Sequence, residues 1–237
     1  MKPRVSCHFL GKVDYKEAWD FQEKLFQEGV QRKINKRNGT QELTPENHLI
    51  FCEHPHVYTL GKSGEKEHLL LDQNELEQKN ATFYHINRGG DITYHGPGQL
   101  VIYPIFDLEQ FFTDIHKYMR FLEEAVIQTL SKFNVVGERS DGLTGVWLEP
   151  STINARKICA MGVKSSRWMT MHGIGFNICT DLNYFNHIIP CGIQNKDVTS
   201  LEKEISRTAT VEEVIPIMLE ELQLLFGFEI KENEETR

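Results

Sequence analysis

No apolar run in the sequence approaches the roughly 20 residues that span a bilayer, so no transmembrane segment is expected. The stretch Met1–Lys12 has too short an apolar core for a secretory signal, and the expected location is cytoplasmic. Cysteine pairs are also missing. The five cysteines, at 7, 52, 159, 179 and 191, are odd in number and contain no C-x-x-C. That fits free thiols in a reducing compartment better than a disulfide framework or a zinc ribbon. Basic residues are outnumbered, 26 against 34 acidic, for a net charge of −8. Such a balance argues against a nucleic-acid partner, and an acidic protein partner would need a local basic patch. There is no G-x-G-x-x-G, no P-loop and no G-x-S-x-G elbow, so neither a familiar nucleotide cradle nor a serine hydrolase is indicated. His54 and His56 astride Pro55 lack helical i, i+4 spacing and a third ligand, so no metal or other cofactor is expected.

What is present is ordinary globular composition, 40% hydrophobic and 25% charged over 237 residues. One catalytic domain over 1–237 is expected, its core from 5 to 230 and a charged, disordered tail at 231–237. A capping box at Asp14–Glu17, with Ala18, Phe21, Leu25 and Phe26 at helical spacing, predicts a helix from about Tyr15 to Gly29. Residues 31–47 read as a polar surface loop. Asp114 caps a second amphipathic helix through Phe133, and Thr210–Glu213 opens a third to Phe226. Short strands are predicted at His48–Cys52, on to Leu60, Thr82–Ile86, Leu100–Phe106, Val135–Val136, Gly145–Leu148, Lys157–Lys164, Met169–Ile178 and Phe228–Ile230. The alternation in Trp168–Met171 predicts one buried face there. Strands before, between and after long helices indicate an α/β (α+β) fold with a mixed sheet.

Four segments can carry chemistry. In Arg88–Gly98, four glycines are interleaved with Arg, Thr, Tyr and His, and side-chain-free backbone can approach an anion or carbonyl closely. A tight turn explains Gly96-Pro97-Gly98 equally well, but not Arg88 or His95. Lys157 precedes an apolar run, which is ordinarily a solvated strand end; at a core edge it would lose part of the hydration that favours its charge. Gly173 and Gly175 interrupt a strand pattern, marking either a bulge with a core histidine or close approach of a ligand. Cys191 stands between Pro190 and Gly192, on a stiff turn that can present a thiol, although free cysteines are more often buried and inert.

Taken together and in order, E-H-P-H-V-Y-T-L-G from Glu53, R-G-G-D-I-T-Y-H-G-P-G-Q-L from Arg88, G-V-W-L, R-K-I-C-A-M-G-V, M-H-G-I-G-F-N, I-P-C-G-I and V-T-S-L resemble the lipoyl(octanoyl) transferases. The resemblance covers roughly residues 47–201 and implies a biotin/lipoate protein ligase-like mixed sheet with flanking helices. It implies transfer of an octanoyl group from octanoyl-acyl carrier protein to a lysine of lipoyl domains, those of 2-oxoacid dehydrogenases and the glycine cleavage H protein. The implied intermediate is a cysteine thioester on Cys191, with Lys157 tuning the thiol. Arg88, Gly89, Gly90, Asp91, Ile92, Thr93, Tyr94 and His95 match substrate-binding positions, as do Ala160, Met161 and Gly162, and Gly173, Ile174 and Gly175. Cys159 and Cys179 stand where the family pattern suggests small apolar core residues, and the loop over 28–47 is longer than expected. Two alternatives remain: an ATP-dependent lipoate–protein ligase, and a non-catalytic protein that binds an acyl carrier or lipoyl domain.

Overall fold

The computed structural model describes residues 2–40, 43–189 and 197–231. Among them, nine strands form one mixed sheet. Along it run β12 (Glu229–Ile230), β1 (Arg4–Lys12), β2 (Asn47–Glu53), β6 (Gln99–Ile105), β10 (Met169–Asn177), β9 (Arg156–Ser166), β8 (Leu143–Leu148) and β7 (Glu138–Ser140). β11 (Asp197–Val198) adds parallel to the start of β9. A second sheet sets β3 (Val57–Leu60) between parallel β4 (Thr82–His85) and antiparallel β5 (Ile92–His95). The pairs β12–β1 and β1–β2 are parallel, and β2–β6, β6–β10, β10–β9, β9–β8 and β8–β7 are antiparallel.

Side-chain alternation sends the two faces of the central strands into different cores. Leu100 and Ile102 of β6, with Leu49 and Phe51 of β2, pack under α3 (Ile115–Ser131) and α5 (Val211–Phe226). Val101, Tyr103 and Ile105, with Ile50 and Cys52, pack under α1 (Tyr15–Arg37). Both faces of the sheet are therefore covered, and every residue of β10 is buried, not one face of it. Trp168, expected to open that alternation, sits instead in the β9–β10 turn with φ of +64°.

The helix starts follow the caps. Asp14 accepts from the amides of Lys16 and Glu17, Asp114 from His116 and Lys117, and Thr210 from Glu213. α1 runs eight residues beyond its expected end at Gly29, because Gln31–Arg37 are good helix formers and Ile34 continues the buried stripe four residues after Val30. It ends before Gly39, at φ +70°, so the first seven residues of the expected 31–47 loop are helix. Val135–Val136 is not a strand, and Val136 is exposed. Short helices α2 (Gln73–Gln78) and α4 (Leu201–Ile205) complete the described chain. Cys159 is buried as expected of a core substitution, whereas Cys179 is exposed. No described helix is long and apolar enough to cross a membrane.

Candidate active site

A cavity of about 550 Å³ opens between the two sheets, within the usual size of a small-molecule site. Its walls come from segments far apart in sequence. Arg88–Thr93 and His95 form one side, Ala160–Val163 of β9 the floor, and Gly173–Gly175 of β10 the back; Lys157, Trp147 and Thr144 stand beside Asp197 and Val198 of β11.

The Arg88–Asp91 loop is clamped from both sides. Lys62 and Ser63 donate backbone N–H groups to the carbonyls of Arg88 and Gly90, and the Gly89 N–H donates to the Val163 carbonyl at 2.9 Å. Gly90 has φ of +88°, a conformation that glycine adopts at no steric cost. Arg88 is buried to 7% exposure, its Nη2 donating to the Thr59 carbonyl at 2.7 Å and its Nη1 to the Gly89 carbonyl at 3.0 Å. Asp91 closes the loop, accepting from the Ile92 N–H and pairing with His68, whose pKa is raised by that bond. Gly162 is required by the same packing, since a Cβ there would lie 2.8 Å from the Gly89 carbonyl oxygen.

The strand alternation of β5 divides its residues. His95 faces the cavity, while Tyr94 is fully buried outside it, bonded through its hydroxyl to His56 Nδ1 and stacked on Tyr184. Gly173 and Gly175 are not a bulge, because the β9–β10 register counts through them without an inserted residue. They allow close approach instead: a side chain at Gly173 would overlap the Ile102 carbonyl, and one at Gly175 would meet His95. The strain lies one residue earlier, at His172, with φ of +61°. Gln22 Oε1 accepts its N–H, and its ring faces Asn87 at 3.3 Å.

Three buried imidazoles line or support the cavity, and each is kept neutral. Burial drives His95 down to about 3, with the positive side of His54, Arg88 and His172 adding to it and the bond to Gln99 opposing. His172 falls to about 3 through burial, Arg88 and Lys164. His54 falls to about 4 by burial; its Nδ1 donates to the Val13 carbonyl and its Nε2 accepts from Tyr103. His54 and His56 thus have separate hydrogen-bond partners, and no group of three metal-binding side chains occurs among the described residues.

Lys157 lies in β9 opposite Trp147, with Nζ 4.5 Å from the centre of the indole ring, and its carbonyl accepts from the Thr199 N–H. Cys191 lies outside the described residues. Tyr15, Tyr103, Trp147 and His172 also line the cavity and were not singled out from sequence. Trp147 had a signal in the G-V-W-L motif. Tyr15 and Tyr103 occupy positions whose spacing matches the core, so nothing local distinguishes them.

Curated relatives match this chain almost end to end. It is 59% identical to the Octanoyltransferase of Christiangramia forsetii over 98% of this chain and 99% of that one. It is 55% identical to the Octanoyltransferase of Cytophaga hutchinsonii over 96% and 94%. The fold is shared with the bi-partite lipoate protein ligase of Thermoplasma acidophilum, at a TM-score of 0.66 and 16% identity over 100% of this chain and 88% of that one. Residues 14–223 match the lipoyl protein ligase A/B catalytic domain, and the chain belongs to that family.

Proposed function

We propose that this protein transfers an octanoyl group from octanoyl-acyl carrier protein to the ε-amine of a lysine on lipoyl domains, including the glycine cleavage H protein, through a thioester on Cys191. The observation that carries this reading is the convergence of Arg88–Asp91, Ala160–Gly162 and Gly173–Gly175 with Lys157 on one cavity. The names of the curated relatives support the choice of acyl group.

In the first half-reaction the Cys191 thiolate attacks the thioester carbon, and the phosphopantetheine sulfur leaves as a thiol by taking the proton of the Lys157 ammonium, which leaves Lys157 neutral for the second step. An ordinary thiol is only a few per cent ionised at pH 7, so a neighbouring ammonium, the role given to Lys157, raises the reactive fraction. Thiol–thioester exchange is near isoenergetic. In the second half-reaction the lysine amine attacks the acyl-enzyme, sheds a proton to Lys157, and expels Cys191 to leave an amide. Thiol and amine titrate here as a pair. Backbone N–H groups beside Gly162 are candidates for holding the oxyanion.

The test is intact-mass measurement after mixing with octanoyl-acyl carrier protein and no ATP. One hydroxylamine-labile octanoyl adduct is expected, absent in Cys191→Ser and slowed in Lys157→Ala. No adduct, or transfer that requires ATP, would favour a lipoate–protein ligase and overturn this reading.

A further inference from the structure

A chain of buried amides behind the cavity dictates which nitrogen of His95 carries its proton. Asn177 Nδ2 donates to the Thr199 carbonyl at 3.0 Å, an oxygen that can only accept. Asn177 Oδ1 is therefore the acceptor facing Gln99 Nε2, at 2.9 Å, and the same Nε2 donates to the Tyr94 carbonyl at 3.2 Å. That leaves Gln99 Oε1 against His95 Nδ1 at 2.6 Å, where it can only accept. Nδ1 must hold the hydrogen. The ring is neutral in its buried setting, so the lone pair is on Nε2. Among the described residues no hydrogen bond is made to Nε2, and the ring borders the cavity.

Thr199 is the hinge of this arrangement. Its carbonyl sets the amide chain that ends at His95, and its N–H donates to the Lys157 carbonyl at 2.9 Å. His95 and Lys157 are thus held by opposite ends of one residue. His95 also packs on Gly175, which pairs with Ala160, three residues along β9 from Lys157.

Resting on the octanoyl-transfer reading, we propose that His95 Nε2 is the hydrogen-bond acceptor for the attacking lysine amine, and that Gln99 and Asn177 are positioning residues that hold it in that state. An alkyl chain has no donor and a thioester carbonyl only accepts, whereas the incoming neutral amine brings N–H groups that need an acceptor once they leave bulk solvent. Accepting one of these bonds fixes the rotation of the amine and with it the direction of its lone pair. His95 orients the amine and does not keep its proton.

Two measurements on the full-length protein test this. In ¹⁵N-histidine-labelled protein at pH 7, the His95 signals, assigned by their loss in His95→Phe, should show a protonated Nδ1 and a pyridine-type Nε2. In Gln99→Met, which removes the acceptor for Nδ1, Nε2–H should appear. In the same variant, transfer from the octanoylated enzyme to a lipoyl domain should slow at least tenfold, while acylation by octanoyl-acyl carrier protein changes less than threefold. If Gln99→Met does not fold, His95→Phe should slow the amine step at least tenfold more than it slows its own acylation step. A protonated Nε2 in the wild-type protein overturns the proposal. So does an acylation step slowed as much as the amine step, which would place the donor on the carrier's pantetheine arm. Failure of the wild-type protein to form any acyl-enzyme would instead sink the octanoyl-transfer reading, with the tautomer still measurable.

Discussion

The Lys157 ammonium lies 4.5 Å from the centre of the Trp147 ring, which is itself 3% exposed. A cation over a desolvated indole gains about 1–2 kcal/mol, a preference that favours the charged lysine in one position. Trp147→Leu is expected to slow octanoylation of the enzyme by roughly 5- to 30-fold, the kinetic equivalent of that interaction. Trp147→Phe should recover part of the rate, because a weaker π-face remains. Stopped-flow acylation with octanoyl-acyl carrier protein reads both; equal losses in Leu and Phe variants would assign the effect to packing.

Gly162 predicts a second outcome. Its missing side chain is what lets the Arg88–Gly90 loop sit on β9, with the Gly89 oxygen 2.8 Å and the Arg88 Cδ 3.1 Å from where a Cβ would be. Backbone cannot rotate away as a flexible side chain can. Gly162→Ala should therefore destabilise the fold by about 1–3 kcal/mol, the usual range for overpacking. It should also reduce acyl-enzyme formation well beyond what the urea midpoint explains, because the loop that moves lines the cavity. Unchanged acylation in a destabilised variant would remove this loop from the substrate's path.

The parts of the fold that follow local rules were legible in the sequence. The capping residues Asp14, Asp114 and Thr210 mark the three long helices, and the runs from His48, Leu100 and Met169 mark central strands. Two kinds of feature were not. β1 alternates only over Val5, Cys7 and Phe9, of which Val5 alone is fully buried, so the pattern is short and its place comes from pairing with β2 and β12. The end of α1 was misplaced because a polar stretch containing one glycine looks like a loop until Ile34 is seen against the sheet. At the cavity, glycine-rich motifs point to Arg88–His95 and Gly173–Gly175, but Tyr15, Tyr103 and His172 converge only after the strands are paired. Tyr94 shows the limit from the other side: it sits inside a motif, and period-two alternation turns it into the neighbouring core.

The buried imidazoles make acid stability predictable. His54, His95 and His172 have folded-state pKa values of about 4, 3 and 3, below the unfolded value near 6.5. The unfolded chain therefore binds more protons once the pH drops below about 6.5, and stability is lost as pH falls from there towards the folded values. Each contributes on the order of 2 kcal/mol of loss by pH 4.5. His68, raised by Asp91, works in the opposite direction. Urea unfolding between pH 7.5 and 5 should show midpoints falling with pH, with a slope reduced by about one proton in His95→Gln. A pH-independent midpoint over that range would mean that these rings are protonated in the folded protein.

Behind Lys157 the carboxylate of Glu123 is 1% exposed and holds three donors: the Gly145 N–H at 3.1 Å, Arg120 Nη1 at 2.7 Å and Arg139 Nε at 3.1 Å. Gly145 has φ of +110° and lies against the Cys159 carbonyl, with a virtual Cβ 3.6 Å from Lys157 Cε. The carboxylate thus pins the stretch of β8 that brings Thr144 and Trp147 to the cavity beside Lys157. Glu123→Ala strands the buried Gly145 N–H, while Arg120 is exposed and Arg139 keeps Glu124, so it should cost about 1–3 kcal/mol, the penalty of an unmet buried donor. Glu123→Gln keeps Oε1 for Gly145 but turns an NH₂ towards an arginine, so it should lose less stability. If the carboxylate acts only on the fold, Gln should acylate at the wild-type rate when measured well below its melting temperature. If it holds the β8 wall against Lys157, acylation should fall in step with weakened protection of the Gly145 amide in hydrogen exchange, and that pairing of rate with protection is the expected result.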